Sequence, residues 1–451
     1  MLTYEQALRI VFRHTDLELG DRPPYAERIW RLERMNEFLH ALGDPQLCYP
    51  AVHVAGTKGK GSTTAMIASI LQTAGLRTGM YTSPHLHSFR ERIQLDGELI
   101  PEEAMAGLVE RMAPVIAERP EVTVFEIITA LAMLYYAEAG VDWAVFEVGL
   151  GGRLDATNVL HPRVSVITSI SLDHMAVLGP TVGHIAREKA GIIKPGVPVI
   201  SAPQQAEALS VIADIAAERG APLTLGGRDW QWRSLGDAGH EMRLYRTGNE
   251  QQPEYPALAV PLRGEHQLEN ATNAALAIEA LRAQGLAVSR AEVAAGIASV
   301  RWPGRFEVLQ HQPPFVVDGA HNVDSMQKLL RTVEAEFPEQ RPVVIFGAGR
   351  GHIPTDLLVV LAGHVARLYL VKANHPKAAE VAELSASAQA LGIEAIACAT
   401  VDEGVERALA SARPEEVVLA TGSLFVVAEA RRAWLAHSGL SLPPGDPPGV
   451  Y

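Results

Sequence analysis

The chain has 451 residues, with 39 Lys and Arg against 52 Asp and Glu, for a formal charge of −13. That length carries about two to three domains, and 48% hydrophobic with 20% charged residues is an ordinary globular composition, which excludes a disordered or fibrous chain. Two cysteines, Cys48 and Cys398, are too few for a disulfide scaffold or a cysteine zinc site, and the acidic balance argues against general nucleic-acid binding.

Met1–Glu5 has no charged-then-apolar leader, so the expected location is cytoplasmic. Ala51–Val54 reads as a strand entering a Gly-rich turn, followed by helical spacing over Ser62–Ala74 that stops at Gly75. Strands are predicted at Thr78–Tyr81, Trp143–Val148, Arg163–Thr168 and Val197–Ser201. Helices are predicted between them at Glu102–Ala117, Glu126–Ala139, Val182–Ala190 and Ala206–Arg219. The most apolar run, Ile127–Ala137, is far short of the roughly 18–20 residues of a membrane span and reads as helix core, so no membrane contact is expected. Leu225–Pro261 turns polar and reads as short antiparallel strands and loops on the edge of the first domain. Helices at Gln267–Ala283 and Arg290–Ser299 complete that domain.

The Pro303-Gly304 pair breaks the pattern and sets a boundary, giving domains of residues 1–299 and 300–451. Beyond it, strands are predicted at Phe315–Asp318, Val343–Phe346, Leu368–Val371 and Val417–Ala420, with helices between. Alternation of this kind specifies an α/β protein: a P-loop-type, mostly parallel sheet followed by a smaller Rossmann-like α/β domain. The tail Pro443–Tyr451 is rich in Pro and Gly and is expected to fray.

Gly56-Thr57-Lys58-Gly59-Lys60-Gly61-Ser62-Thr63 follows a strand and opens a helix. Glycines let backbone N–H groups approach an anion, and the helix N-terminus adds a positive dipole end. Lys60 would reach the outer phosphates, with Ser62 or Thr63 supporting a metal or a phosphate. The strict P-loop spacing fails, since Val54 stands at the first glycine position and Gly61 where Ser or Thr should follow Lys60. A Gly-rich turn needed only for packing is the alternative. Three further groups sit at predicted strand ends, where open parallel sheets bind ligands: Ser83, Glu147 and the Asp173-His174 pair. Together they could share a nucleotide-bound magnesium, which uses few protein ligands. Taken singly, Ser83 could form a turn, Glu147 cap a helix and His174 sit in a loop. Lys189 ends a helix before Gly191 and Pro195, where a cation complements the helix dipole. Arg305 follows the Pro-Gly pair and could reach across a cleft, and Asp318-Gly319-Ala320-His321-Asn322 ends a strand and starts a helix.

At these residues the chain resembles the folylpolyglutamate synthase/dihydrofolate synthase family of the Mur ligase superfamily. The shared pieces are Gly56–Thr63, Thr82–Leu86, Glu147–Asn158, Ser171–His174, Glu188–Gly196, His266–Asn270, Pro303–Glu307 and Asp318–Asn322, in family order across residues 50–325. The resemblance implies an ATP-dependent amide ligase. ATP would phosphorylate a substrate carboxylate to an acyl phosphate, and the amine of L-glutamate would displace phosphate. The acid would be dihydropteroate or a folate, and the protein a monomer. By the same resemblance Lys60, Lys189 and His321 are catalytic, with Lys189 matching a lysine that the family carbamylates. Ser83, Glu147 and His174 would carry Mg²⁺. Gly56, Thr57, Lys58, Gly59, Lys60, Gly61, Ser62, Asn270, Arg305 and Asp318 would contact ATP. Phe125, Glu126, Leu154 and Asp155 are the candidates for the pterin side.

The chain also departs from the family pattern. Lys58 stands where the family usually has Asn. Gly349–Pro354, including His352, replaces an Asp-Lys-Asp element linked to glutamate and potassium, and His375-Pro376-Lys377 replaces His-Pro-Arg. Two other functions compete with the folate ligase: a ligase of the same mechanism acting on another acid, and a nucleotide-binding protein without turnover. Residues 300–305 are the expected hinge for closure around ATP.

Overall fold

The computed structural model describes residues 1–16, 31–235, 240–338, 340–350, 354–447 and 449. The first sheet contains β1 (Ala51–Ala55), β2 (Thr78–Tyr81), β3 (Ile93–Leu95), β4 (Glu98–Leu99), β5 (Trp143–Glu147), β6 (Val164–Ile167), β7 (Val199–Ser201) and β8 (Leu223–Leu225). Their order is β4-β3-β2-β5-β1-β6-β7-β8. The strands from β2 to β8 pair in parallel, while β3 and β4 add an antiparallel edge. All five residues of β1 are buried, as a central strand covered on both faces must be. The strand order reverses at β1, which lies between β5 and β6, so the crevice beyond its carboxyl end is the natural ligand site of this topology.

The helix Lys60–Thr73 is apolar around most of its circumference because it is covered on both sides. The sheet lies beneath it, and the helices Glu265–Arg282 and Arg290–Ser299 lie above. The polar stretch after residue 225 forms its own antiparallel sheet of β9 (Trp230–Leu235), β10 (Glu241–Arg246) and β11 (Tyr255–Ala259). The antiparallel pairing was expected, and the strands form a sheet separate from the main one. Trp230, Met242, Leu244, Tyr255 and Leu258 bury the new sheet against the helix layer.

The second six-stranded sheet runs β12-β13-β17-β14-β15-β16. It contains β12 (Glu307–His311), β13 (Pro314–Val317), β14 (Val343–Phe346), β15 (Arg367–Leu370), β16 (Ala395–Ala397) and β17 (Val418–Thr421). β12 was not expected from the sequence; it pairs antiparallel to β13 as a hairpin. Its half-buried residues carry too little apolar alternation to stand out.

Two N-terminal helices, Tyr4–Val11 and Leu32–Ala41, were also missed. Tyr4, Ala7, Leu8 and Val11 are buried at helical spacing and pack with Met35, Phe38 and Leu39 on the helices Glu102–Ala117 and Val124–Ala139. The Ile127–Ala137 run is the interior of the Val124–Ala139 helix. No helix among the described residues is long and apolar enough to cross a membrane.

The tail departs from expectation. Asp446 accepts hydrogen bonds from the Tyr4 hydroxyl at 2.6 Å, the Ser88 hydroxyl at 2.9 Å and the Phe89 amide at 2.7 Å. A carboxylate with three donors anchors this stretch more firmly than its Pro/Gly composition implied. Gly351, His352 and Ile353, within the expected departure at 349–354, lie outside the described residues, as do Pro448, Val450 and Tyr451 of the tail.

Candidate active site

The carboxyl ends of the parallel strands in the two sheets face a shared cavity of about 620 Å³. The first sheet contributes Thr57–Ser62, Ser83, Glu147, Asp173 and His174, and the second contributes Asp318–His321, Gly349, His375 and Ser423.

The phosphate-loop candidate lies on the cavity floor. Gly59 is left-handed (φ 89°) at the N-cap of the Lys60–Thr73 helix, and no side chain caps that helix. A Cβ at Gly59 would overlap the Asn270 amide, and one at Gly56 (φ 151°) would overlap the Thr168 side chain. Both positions therefore require glycine. The loop is not uniformly open to an anion. The Thr57 and Lys58 amides donate to the Ser169 carbonyl at 2.9 and 3.2 Å, and Thr57 Oγ1 donates to the Ser171 carbonyl. Thr57 thus shapes the loop, and the first helical turn from Lys60 onward carries the dipole end.

Lys58, expected to face the nucleotide, pairs with Asp173 at 2.8 Å. Burial lowers the Lys58 pKa. Burial acts in the opposite sense on Asp173, yet Lys58 and His174 hold its carboxyl well below the usual range. Lys60 Nζ lies 4.0 Å from Glu147. Glu147 is buried, which raises its pKa against the opposing pull of Lys60, and its Oε2 accepts from the Ser83 amide at 3.1 Å. His174 is left-handed (φ 49°) and more exposed than Asp173 before it. Lys189 is buried under the loop and donates to the Gly56 carbonyl at 2.7 Å. Burial, with Lys60 and Lys58 nearby, draws its pKa down to about 7. Among the described residues no three His, Cys, Asp or Glu side chains form a metal cage. Ser83, Glu147 and His174 all line the cavity, a hydroxyl, a carboxylate and an imidazole that could hold a magnesium which keeps most of its waters.

Across the cavity, Asn270 donates to Gln267 at 2.9 Å beside Gly59. Trp302 lies against Gly61, which places the segment between the sheets directly on the loop. Both Asp318 oxygens serve backbone groups, accepting from the Phe306 and Ala320 amides at 2.8 Å each, so Asp318 shapes the turn that holds Arg305. A side chain at Gly319 would overlap the Arg305 guanidinium. His321 Nδ1 lies 2.8 Å from the Gly319 carbonyl, an acceptor, so Nδ1 carries a hydrogen and donates it there.

The other end of the cavity is aromatic. Phe89 lies 5.0 Å from Phe12 and 5.6 Å from His85, with the Arg92 guanidinium 5.0 Å from its ring, and Phe125 joins them on the wall. Arg92 is buried and donates to His85 Nδ1 at 3.1 Å. Of the candidates named for this end, Phe125 lines the cavity. Glu126 caps its own helix through Thr123 and pairs with Arg34 at 2.8 Å. Asp155 is buried and accepts from the Leu150 and Thr157 amides. Neither residue, nor Leu154, is part of the cavity wall among the described residues. The Glu147–Asn158 motif is scaffold over most of its length. Gly152 packs on the Glu188 and Lys189 carbonyls, Arg153 pairs with Glu188 at 3.1 Å, and Asn158 donates to the Gly191 carbonyl. Sequence reasoning missed Phe12, His85, Phe89 and Lys328 as wall residues. Of these, only His85 carried a signal, inside the shared piece Thr82–Leu86.

Residues 54–278 match the Mur ligase middle domain, and residues 304–424 match the Mur ligase glutamate ligase domain. The chain is 36% identical over 437 residues to a dihydrofolate synthase/folylpolyglutamate synthase of Bacillus subtilis (strain 168), covering 93% of this chain and 96% of that protein. A crystal structure of folylpolyglutamate synthase from Thermotoga maritima superposes with a TM-score of 0.81 at 32% identity, covering 98% of each chain. E. coli FolC in complex with DHPP and ADP superposes with a TM-score of 0.80 at 30% identity, covering 97% of this chain and 99% of that one.

Proposed function

The chain belongs to the folylpolyglutamate synthase/dihydrofolate synthase family of Mur ligases and is an ATP-dependent ligase, and we propose that it joins L-glutamate to dihydropteroate or to a folate. One observation carries the substrate assignment: a single cavity runs from an uncapped helix N-terminus ringed by lysines to a wall of Phe89, Phe125 and Arg92. The first end suits a triphosphate, and the second suits a flat heteroaromatic acid.

Carboxylate attack on the γ-phosphate brings together two negative charges, which the site must neutralise. Lys60, at the opening of the helix, is placed to meet the transferred phosphoryl group, and Arg305 approaches from the opposite sheet. Mg²⁺ held by Ser83, Glu147 and His174 would supply further charge neutralisation. Burial draws the Lys189 pKa down to about 7, which favours the unprotonated amine that CO₂ addition requires, and the resulting carbamate would turn a cation into an oxygen donor. Once the acyl phosphate forms, the glutamate amine displaces phosphate and leaves an amide. Lys58 is committed to Asp173 and contributes its charge to the nucleotide only when that pair opens. We place the enzyme in the cytoplasm as a monomer acting on small molecules, with the segment 300–305 as the hinge for closure around ATP.

The test is phosphate release by purified protein with ATP, Mg²⁺ and L-glutamate, combined with mass detection of the product. Release on addition of dihydropteroate or a folate, with a product heavier by one glutamate residue, supports the assignment. Silence with every folate acid sinks it, and release only with some other acid transfers the same chemistry to a different acceptor.

A further inference from the structure

We propose that Asp446, in the tail beyond the second sheet, is a positioning residue for the acceptor end of the cavity. This proposal rests on the reading of the aromatic end as the acceptor site. The segment from His85 to Arg92 supplies three wall residues, His85, Phe89 and Arg92, and its backbone is held from two sides. Glu91 satisfies the inner side, accepting from the amides of Leu86, His87 and Ser88 at 2.7 to 3.0 Å. On the outer side, Asp446 Oδ2 accepts from the Phe89 amide at 2.7 Å, and Oδ1 accepts from the Ser88 hydroxyl at 2.9 Å. Ser88 is fully buried, so its hydroxyl would be costly to leave without an acceptor.

The anchor is itself held on the first domain. Tyr4 donates its hydroxyl to Asp446 at 2.6 Å, while Arg90 lies over the Tyr4 ring at 5.7 Å. Burial and the Asp446 carboxylate push the Tyr4 hydroxyl far above its usual pKa, so it remains a donor. A second contact from the same half of the chain reaches the same segment. Arg431, on the Leu424–His437 helix, pairs with Glu307 at 3.0 Å and lies 3.3 Å from His87. Phe89 is the link to function, because its amide is held by Asp446 while its ring packs among Phe12, His85 and Arg92. A tail residue more than three hundred positions away thereby sets where the aromatic wall stands. Among the described residues, Asp446 accepts hydrogen bonds from Tyr4, Ser88 and Phe89, at the aromatic end.

The test uses the full-length chain carrying Asp446→Ala and, separately, Asp446→Asn. The alanine variant should raise KM for the acid acceptor about tenfold, the scale of losing charge-assisted hydrogen bonds, with kcat and KM for ATP within about twofold of the parent. Asparagine can flip its amide to accept from the Phe89 N–H while donating to a hydroxyl oxygen, so it should recover part of the loss. Hydrogen exchange at the Ser88–Arg92 amides should accelerate in the alanine variant, with the amides of the Lys60–Thr73 helix unchanged. An acceptor KM within about twofold of the parent overturns the proposal. So does a fall in kcat with both KM values drifting together, which is what a merely structural role would give. If the parent itself shows no acceptor-dependent turnover, the functional reading fails separately. The exchange experiment then decides on Asp446, and unchanged rates at Ser88–Arg92 overturn its role.

Discussion

The two ends of the cavity are built differently. The phosphate end is mostly one contiguous stretch, Thr57–Ser62, plus the groups that follow neighbouring strands of the first sheet, with Arg305 reaching in from the second. Its recognition elements are the backbone, a helix terminus and fixed charges. The aromatic end is assembled from Phe12, the His85–Arg92 segment and Phe125, with Asp446 behind them from the last residues of the chain. Anions can be held by local geometry, whereas a flat ring needs walls that only packing supplies. Damage at the first end should therefore strike kcat, and damage at the second should strike acceptor KM.

The largest effect sharpens that contrast directly. Lys60→Ala should lower kcat for acceptor-dependent phosphate release by roughly 10³-fold, with acceptor KM little changed, because it removes charge where the phosphoryl group is transferred. Steady-state kinetics in both substrates checks it, and a loss expressed mainly in acceptor KM would break the comparison.

Lys189→Met should cost roughly 10²-fold in kcat. It should also change the pH dependence of stability in a defined sense. In the native protein Lys189 loses its proton near pH 7, whereas in the unfolded chain it holds it up to 10.5. Between those values the unfolded state binds more protons, so stability rises with pH across that window. Denaturant titrations from pH 6.5 to 10 should show this rise in the parent and a flatter profile in the variant.

The smallest effect on activity separates scaffold from site. Glu126→Gln removes one partner of a half-buried ion pair and weakens a helix cap, and should cost about 1–3 kcal/mol of stability. Acceptor KM should stay within about twofold, since Glu126 faces Arg34 and Thr123. Thermal unfolding alongside kinetics tests both halves, and a large rise in acceptor KM would return Glu126 to the site.

The legibility of the chain follows the same division. The helices Glu102–Ala117, Val182–Ala190 and Arg290–Ser299 occupy the residues their periodicity predicts, and β2 and β14 do the same. That Ser83, Glu147 and His174 share one cavity was legible because strand ends in a parallel sheet converge on one crevice. Glu126 and Asp155 make hydrogen bonds that their motifs did not reveal, because a motif marks a family, not the direction of a side chain. Asp155 sits among glycines that serve close packing of the Glu147–Asn158 turn on the Glu188–Gly191 turn. The tail was misjudged because composition reports what a segment would do alone, and Asp446 finds donors on Tyr4 and Ser88.

Local sequence by itself determined the alternating α/β layout and the anion-binding turn, because both depend on residue spacings shorter than about one strand-helix unit. Only the tertiary structure decided that Lys58 is spent on Asp173, that Lys189 lies buried under Gly56, and that Phe12, Phe89 and Phe125 form one wall. Those outcomes depend on which distant groups share a volume, and on the burial that then sets their charge, neither of which a linear pattern carries.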